Sequence, residues 1–144
     1  MELLIALAAL GVIVSVAIPQ FSKIREGQAL KSAVTDILSS IDKARGETLS
    51  SLNSSEYGVH FESGKIVVFK GAVYSPGVSD NETIGLISPI SITNVNLGGL
   101  SDISGDIYFN RLSGAPSVFG AVTLSGYSSS KVVNISATGV ASVD

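Results

Sequence analysis

From Leu3 to Ile18 the chain reads LLIALAALGVIVSVAI, an unbroken apolar run with no charge and Ser15 as its one polar side chain. One carboxylate, Glu2, stands at its head and Pro19 closes it. After Pro19 the pattern becomes amphipathic with a helical period. Ile24, Leu30, Ala33, Val34, Ile37, Leu38, Ile41 and Ala44 follow i, i+3, i+4, i+7 spacing, and Leu49 and Leu52 extend it roughly. Lys23, Arg25, Lys31, Asp36, Asp42, Lys43 and Glu47 fall mostly on the opposite side. Gly27 and Gly46 each weaken this helix by about 1 kcal/mol relative to Ala, and Asn53-Ser54-Ser55 is its expected stop. A helix of some fifty residues is ~75 Å long at ~1.5 Å per residue. No compact domain of a 144-residue chain has that dimension, so its first half must project.

From Tyr57 the period changes to two. Tyr57–Glu62 and Lys65–Lys70 flank Ser63-Gly64, a hairpin signal. Further strands are expected at 83–87, 90–95, 106–110, 121–125, 131–137 and 140–143. Pro76-Gly77, Asp80-Asn81, Gly98-Gly99, Ser113-Gly114 and Ser128–Ser130 mark the loops between them. The expected fold is α+β: a long N-terminal helix, kinked near Pro19 because proline lacks a backbone N–H and clashes with the preceding turn. Its C-terminal half packs on an antiparallel β-sheet head. Three segments follow: the hydrophobic helix 1–23, the amphipathic helix half 24–53, and the β head 54–144.

An acid at the head of an apolar segment needs a reason. Near the middle of a membrane helix an ionised acid costs about 2.5–3.5 kcal/mol, less toward the interface, and it marks a functional site whose partner should be named. Here that partner is a cationic amine. Three plainer readings compete. A secretory signal peptide needs a basic n-region and a small-residue cleavage site, whereas this chain offers Glu2 and runs on through Ala17-Ile18-Pro19-Gln20-Phe21. A simple membrane anchor needs ~20 apolar residues for ~30 Å, and sixteen residues reach about 24 Å. A helix buried in a soluble core needs a partner surface that this chain hardly supplies.

The fourth reading is a helix that sits first in a membrane and later among copies of itself. Glu2-Leu3-Leu4-Ile5, the apolar run, and Ala17-Ile18-Pro19-Gln20-Phe21 together resemble the N-terminus of type IV pilins and type II secretion pseudopilins. In that family a glutamate leads into an apolar stretch ending in Ile-Pro-x-Phe at this spacing. The family's glutamate is fifth in the mature chain and Glu2 is second here. The leader peptide, its glycine and the first three mature residues are therefore absent, which implies a trimmed chain or a start assigned late. More loosely, Asp42-Lys43-Ala44-Arg45-Gly46-Glu47, Tyr57-Gly58-Val59, Ile107-Tyr108-Phe109 and the run Val133–Val140 resemble the GspH/FimT group of minor pseudopilins and pilins.

The resemblance implies a structural subunit of a type IV pilus-like extracellular filament, a helical homopolymer of identical subunits. It also implies residence in the cytoplasmic membrane before assembly, and dealings with a prepilin peptidase and the pilus assembly machinery. Met1 and Glu2 become the subunit-assembly residues, an N-terminal amine pairing with a neighbouring copy's carboxylate; if residues precede Met1, the amine belongs to the first of them. Gly11 and Pro19 become the points of bending, with Val12–Ile18 unwound in the filament. The alternative is a minor pilin or secretion pseudopilin that primes assembly or contacts cargo such as DNA. A plain membrane-tethered surface domain is a further alternative, in which Glu2 has no task.

Composition narrows the chemistry. The chain is 45% hydrophobic and 15% charged, with mean hydropathy +0.46. With no cysteine it has no disulfide framework and no thiolate metal site. A net charge of -3 argues against a general nucleic-acid surface, and Lys65, Lys70, Arg111 and Lys131 are scattered. His60 is the only histidine, expected at the rim of its strand, so no histidine pair or zinc cluster is expected. Asp80-Asn81-Glu82 and Asp102-x3-Asp106 offer calcium-type oxygens without an EF-hand pattern and read as solvated turns. Asn53, Asn81 and Asn134 head Asn-x-Ser/Thr sequons. There is no phosphate-binding glycine loop and no nucleophile elbow. No metal, no cofactor and no enzymatic activity are expected.

Overall fold

The computed structural model describes residues 1–144, apart from the side chains of residues 16–19. The chain is α+β. Helix α1 runs Glu2–Leu49, and a 3-10 turn follows at Leu52–Ser54. The strands are β1 Tyr57–Glu62, β2 Lys65–Lys70, β3 Glu82–Gly85, β4 Ser91–Leu97, β5 Leu100–Asp102, β6 Gly105–Tyr108, β7 Gly120–Ser125, β8 Ser130–Ile135 and β9 Ala141–Val143. All pairings are antiparallel.

The head is two sheets rather than the single one expected, with strand orders β3-β2-β1-β6 and β5-β4-β7-β8-β9. Strand β6 pairs back onto β1, while β4 pairs with β7, so the chain passes between sheets after β3, after β5 and again after β6. Helix α1 packs on β1 and β2 of one sheet and on β7, β8 and β9 of the other. Leu30, Ala33, Val34, Ile37, Ile41 and Ala44 on the helix face Val59, Phe61, Ile66, Ile107, Val122, Leu124 and Val133 in one core. Strand β2 is buried on both faces. Val67 and Phe69 turn away from this core, and Phe69 meets Tyr74 edge-on at 5.6 Å. The Phe69 ring lies across Gly58, its register partner; a Cβ there would sit 2.5 Å from Phe69 Cζ and 2.6 Å from the Ile107 carbonyl oxygen.

The helix stops at Leu49, earlier than Asn53-Ser54-Ser55. Ser51, Asn53 and Ser54 adopt left-handed φ values of 51°, 52° and 53°, a conformation that costs non-glycine residues about 1–2 kcal/mol each. Thr48, fully buried, offsets part of this by fixing the turn's exit. Its Oγ1 accepts the Tyr57 N–H at 2.9 Å and donates to the Ala44 carbonyl at 2.8 Å. Ile24, Leu49 and Leu52, placed in the apolar stripe by spacing, are 56%, 46% and 45% exposed. Ile24 precedes the first head contact, and the other two stand at the far end of the helix, at the edge of the head, Leu49 against the loop at Gly114. The kink expected near Pro19 falls on residues 16–19, outside the described side chains; of the segment expected to unwind in a filament, residues 12–15 are helical in the single chain and residues 16–18 lie outside the described side chains.

Candidate functional site

The first half of α1 carries the features that need explanation. Residues 1–15 and 20–25 are all exposed, with Leu3, Leu4, Ile5, Leu7, Leu10, Val12, Ile13 and Phe21 among the large apolar side chains left open to solvent. By length and composition the helix is able to cross a membrane. The chain exposes 8389 Å², against about 7,000 Å² for a compact monomer of this mass. The excess, about 1,400 Å², exceeds the ~800 Å² that each partner buries in a standard stable interface.

Met1 and Glu2 sit at the tip of this segment and both are exposed. Glu2 occupies the first turn of the helix, where a carboxylate also gains about 0.3–1 kcal/mol from the exposed N–H groups. The rise from Glu2 to Glu26 is about 36 Å, so no cation of the head reaches it. Among the described residues Glu2 forms no ion pair. Gly11 has open space where a Cβ would stand, so nothing within its own chain requires a small residue there.

Where the head meets the helix, the structure reveals a residue that the sequence pattern did not single out. Glu26 is buried, and its carboxylate accepts four hydrogen bonds from the β7–β8 turn. Oε1 takes the Ser128 N–H at 2.8 Å, the Ser129 N–H at 3.1 Å and the Ser129 hydroxyl at 3.0 Å. Oε2 takes the Ser128 hydroxyl at 3.0 Å. The Ser128 amide foremost holds the Glu26 carboxyl below its ordinary range; burial acts the other way and is outweighed. A Cβ on Gly126 would lie 2.5 Å from Glu26 Oε1, so the glycine makes room for this latch. The signal was present: Glu26, Leu30, Ala33, Ile37, Ala44 and Thr48 lie on one helical stripe, with an acid at one end and a hydroxyl at the other.

Beside the latch lies a groove of about 840 Å³ between helix residues 22–32 and the loops at 87–89 and 127–128. Lys23 and Arg25 line it with Ile87, Pro89 and Tyr127; Ile87 is 65% and Tyr127 89% exposed.

The remaining candidates are engaged elsewhere. His60 lies on the inner strand β1 rather than at a rim, its side chain 13% exposed, stacked on Tyr74 at 3.9 Å, beside Asp106 on one nitrogen and 3.8 Å from Glu62 on the other. Asp80 pairs with Lys70 and Glu82 with Lys43, and Asp102 accepts the Ile103 N–H. Among the described residues no three His, Cys, Asp or Glu side chains gather to hold a metal. Of the scattered basic residues, Lys65 pairs with Glu62 at 3.0 Å and Lys70 with Asp80 at 3.9 Å. All three sequon amides donate within the chain: Asn53 to the Tyr57 hydroxyl, Asn81 to the Ser75 carbonyl, Asn134 to Asp144.

No known protein family, curated protein or solved structure matches this chain.

Proposed function

We propose that this chain is a structural subunit of a type IV pilus-like extracellular filament, polymerising through its N-terminal helix. One observation carries the reading: a 48-residue helix clasps a folded head with its second half and leaves an apolar first half, tipped by Glu2, exposed at every described residue before Glu26. The resemblance of Glu2–Ile5 and Ala17–Phe21 to pilin N-termini supports it.

The mechanism has two stages. The apolar helix first holds the monomer in the cytoplasmic membrane with its head outside. An assembly machine then extracts it, and the helices of many copies bundle as the filament core with heads outward. Lipid tails are as apolar as the neighbouring helices, so moving from one to the other yields little hydrophobic gain, and close packing supplies the preference. Gly11, unconstrained within its own chain, suits that packing and is also a point where the helix yields. Glu2 sets the register by pairing with the N-terminal amine of another copy. Removing one partner of such a buried pair typically costs about 3–5 kcal/mol.

Shearing surface filaments from the native cell and identifying their components by mass tests the reading. The chain is expected as the main component. A trace amount would make it the minor pilin or pseudopilin instead, and absence from every filament would refute it.

A further inference from the structure

We infer that the groove at the base of the head is a docking surface for anionic phospholipid headgroups, which seats the head on the membrane before assembly. The inference rests on the membrane stage of the reading above and names what the head does during it.

Depth comes first. From Leu3 to Phe21 the helix rises about 27 Å, close to the ~30 Å of a hydrocarbon core. Lys23 and Arg25 follow within ~6 Å, at the height of the phosphates. The loops at 87–89 and 127–128 meet the helix at this level, the end of the head nearest the apolar segment. The head therefore reaches the lipid surface with its groove.

Chemistry comes second. Lys23 and Arg25 are exposed and have no ion-pair partner among the described residues. The one acid lining the groove is Glu26, whose two oxygens are occupied by Ser128 and Ser129. Two free cations thus stand beside a carboxylate already satisfied, which favours an incoming phosphate. Around them Ile87 and Tyr127 project into solvent on short loops. An aromatic ring with a polar tip beside basic side chains is the combination found at membrane–water interfaces, and lysine and arginine stems lie along apolar surface while their charges stay hydrated. A second copy would find the same apolar rim. The unpaired cations, continuous with a membrane-length helix, select the lipid.

The test uses the full chain, which has no native cysteine, carrying a spin label at Leu10→Cys or at Ser88→Cys. Each is reconstituted in phosphatidylcholine vesicles with and without phosphatidylglycerol, and label accessibility to oxygen and to an aqueous nickel chelate is measured. The Leu10 label is expected in hydrocarbon in both vesicles. The Ser88 label is expected to leave the aqueous phase when phosphatidylglycerol is present. Each basic side chain near an anionic leaflet shifts this docking equilibrium about fivefold, so Lys23→Gln with Arg25→Gln lowers it about 25-fold. Raising salt toward ~1 M, where screening shortens to ~3 Å, has the same effect. A Ser88 label that stays aqueous while the Leu10 label is in hydrocarbon overturns headgroup docking and leaves the membrane stage standing. A Leu10 label in water overturns both. Shielding at Ser88 that follows protein concentration rather than phosphatidylglycerol assigns the groove to a second copy and overturns the inference.

Discussion

Ile37 and Ile24 are the same residue on the same helix, and substituting alanine at each should separate the helix's two tasks. Ile37 is fully buried where α1 lies against both sheets. Truncation to alanine removes three carbons at ~0.8 kcal/mol each, about 2.4 kcal/mol of lost burial. A cavity enclosed by a helix and two sheets collapses little, which moves the total toward the upper part of the about 2–5 kcal/mol range for such changes. We expect about 3–4 kcal/mol for Ile37→Ala. Ile24 is 56% exposed and precedes the first head contact, so Ile24→Ala should change head stability by no more than about 0.5 kcal/mol. Urea unfolding of the full chain in detergent, followed by circular dichroism, measures both. Filament yield should show the reverse sensitivity per unit of stability lost, because Ile24 belongs to the face that a filament would cover. Equal losses of head stability at the two positions would refute the division of the helix into a clasped half and a free half.

Glu26 gives a pH dependence of defined sign. Its folded pKa lies below the ordinary value of 4.5, so its stabilisation is present above that value and is lost as pH falls through the folded pKa. The Ser128 and Ser129 amide resonances should move with this titration below pH 4.5, and Glu26→Gln should abolish the movement. Thr48→Val keeps the shape of the side chain but orphans the buried Tyr57 N–H; it should lower stability by about 1–3 kcal/mol in the same urea assay.

Much of the architecture was legible along the chain. Strands β1 and β2 fall at the expected residues because alternation is strict and Ser63-Gly64 punctuates it. The long helix was legible because its apolar run joins an amphipathic stripe without a break. Strand β5 was not, since Leu100-Ser101-Asp102 is short, wholly exposed and lacks an alternating pattern. The division into two sheets was hidden as well. It depends on β6 choosing β1 and on β4 choosing β7, and each choice joins residues distant in sequence. Glu26 stood out only by lying on the apolar stripe of the helix, which names no partner for it. Only the arrival of a turn about a hundred residues later, with two serines and a glycine beside it, makes it a latch. Pairing between copies leaves no periodic trace, so the task proposed for Glu2 was visible only as an acid where an apolar segment begins.

The central claim is that the free half of the helix polymerises, with Glu2 paired to an amine of another copy. Quantifying the chain in sheared surface filaments from cells making either the native protein or Glu2→Ala tests it most directly, with head folding checked in the membrane fraction. The account predicts that the native chain fills the filaments while Glu2→Ala stays folded in the membrane and is lost from them. Equal amounts of the two chains in filaments would contradict it.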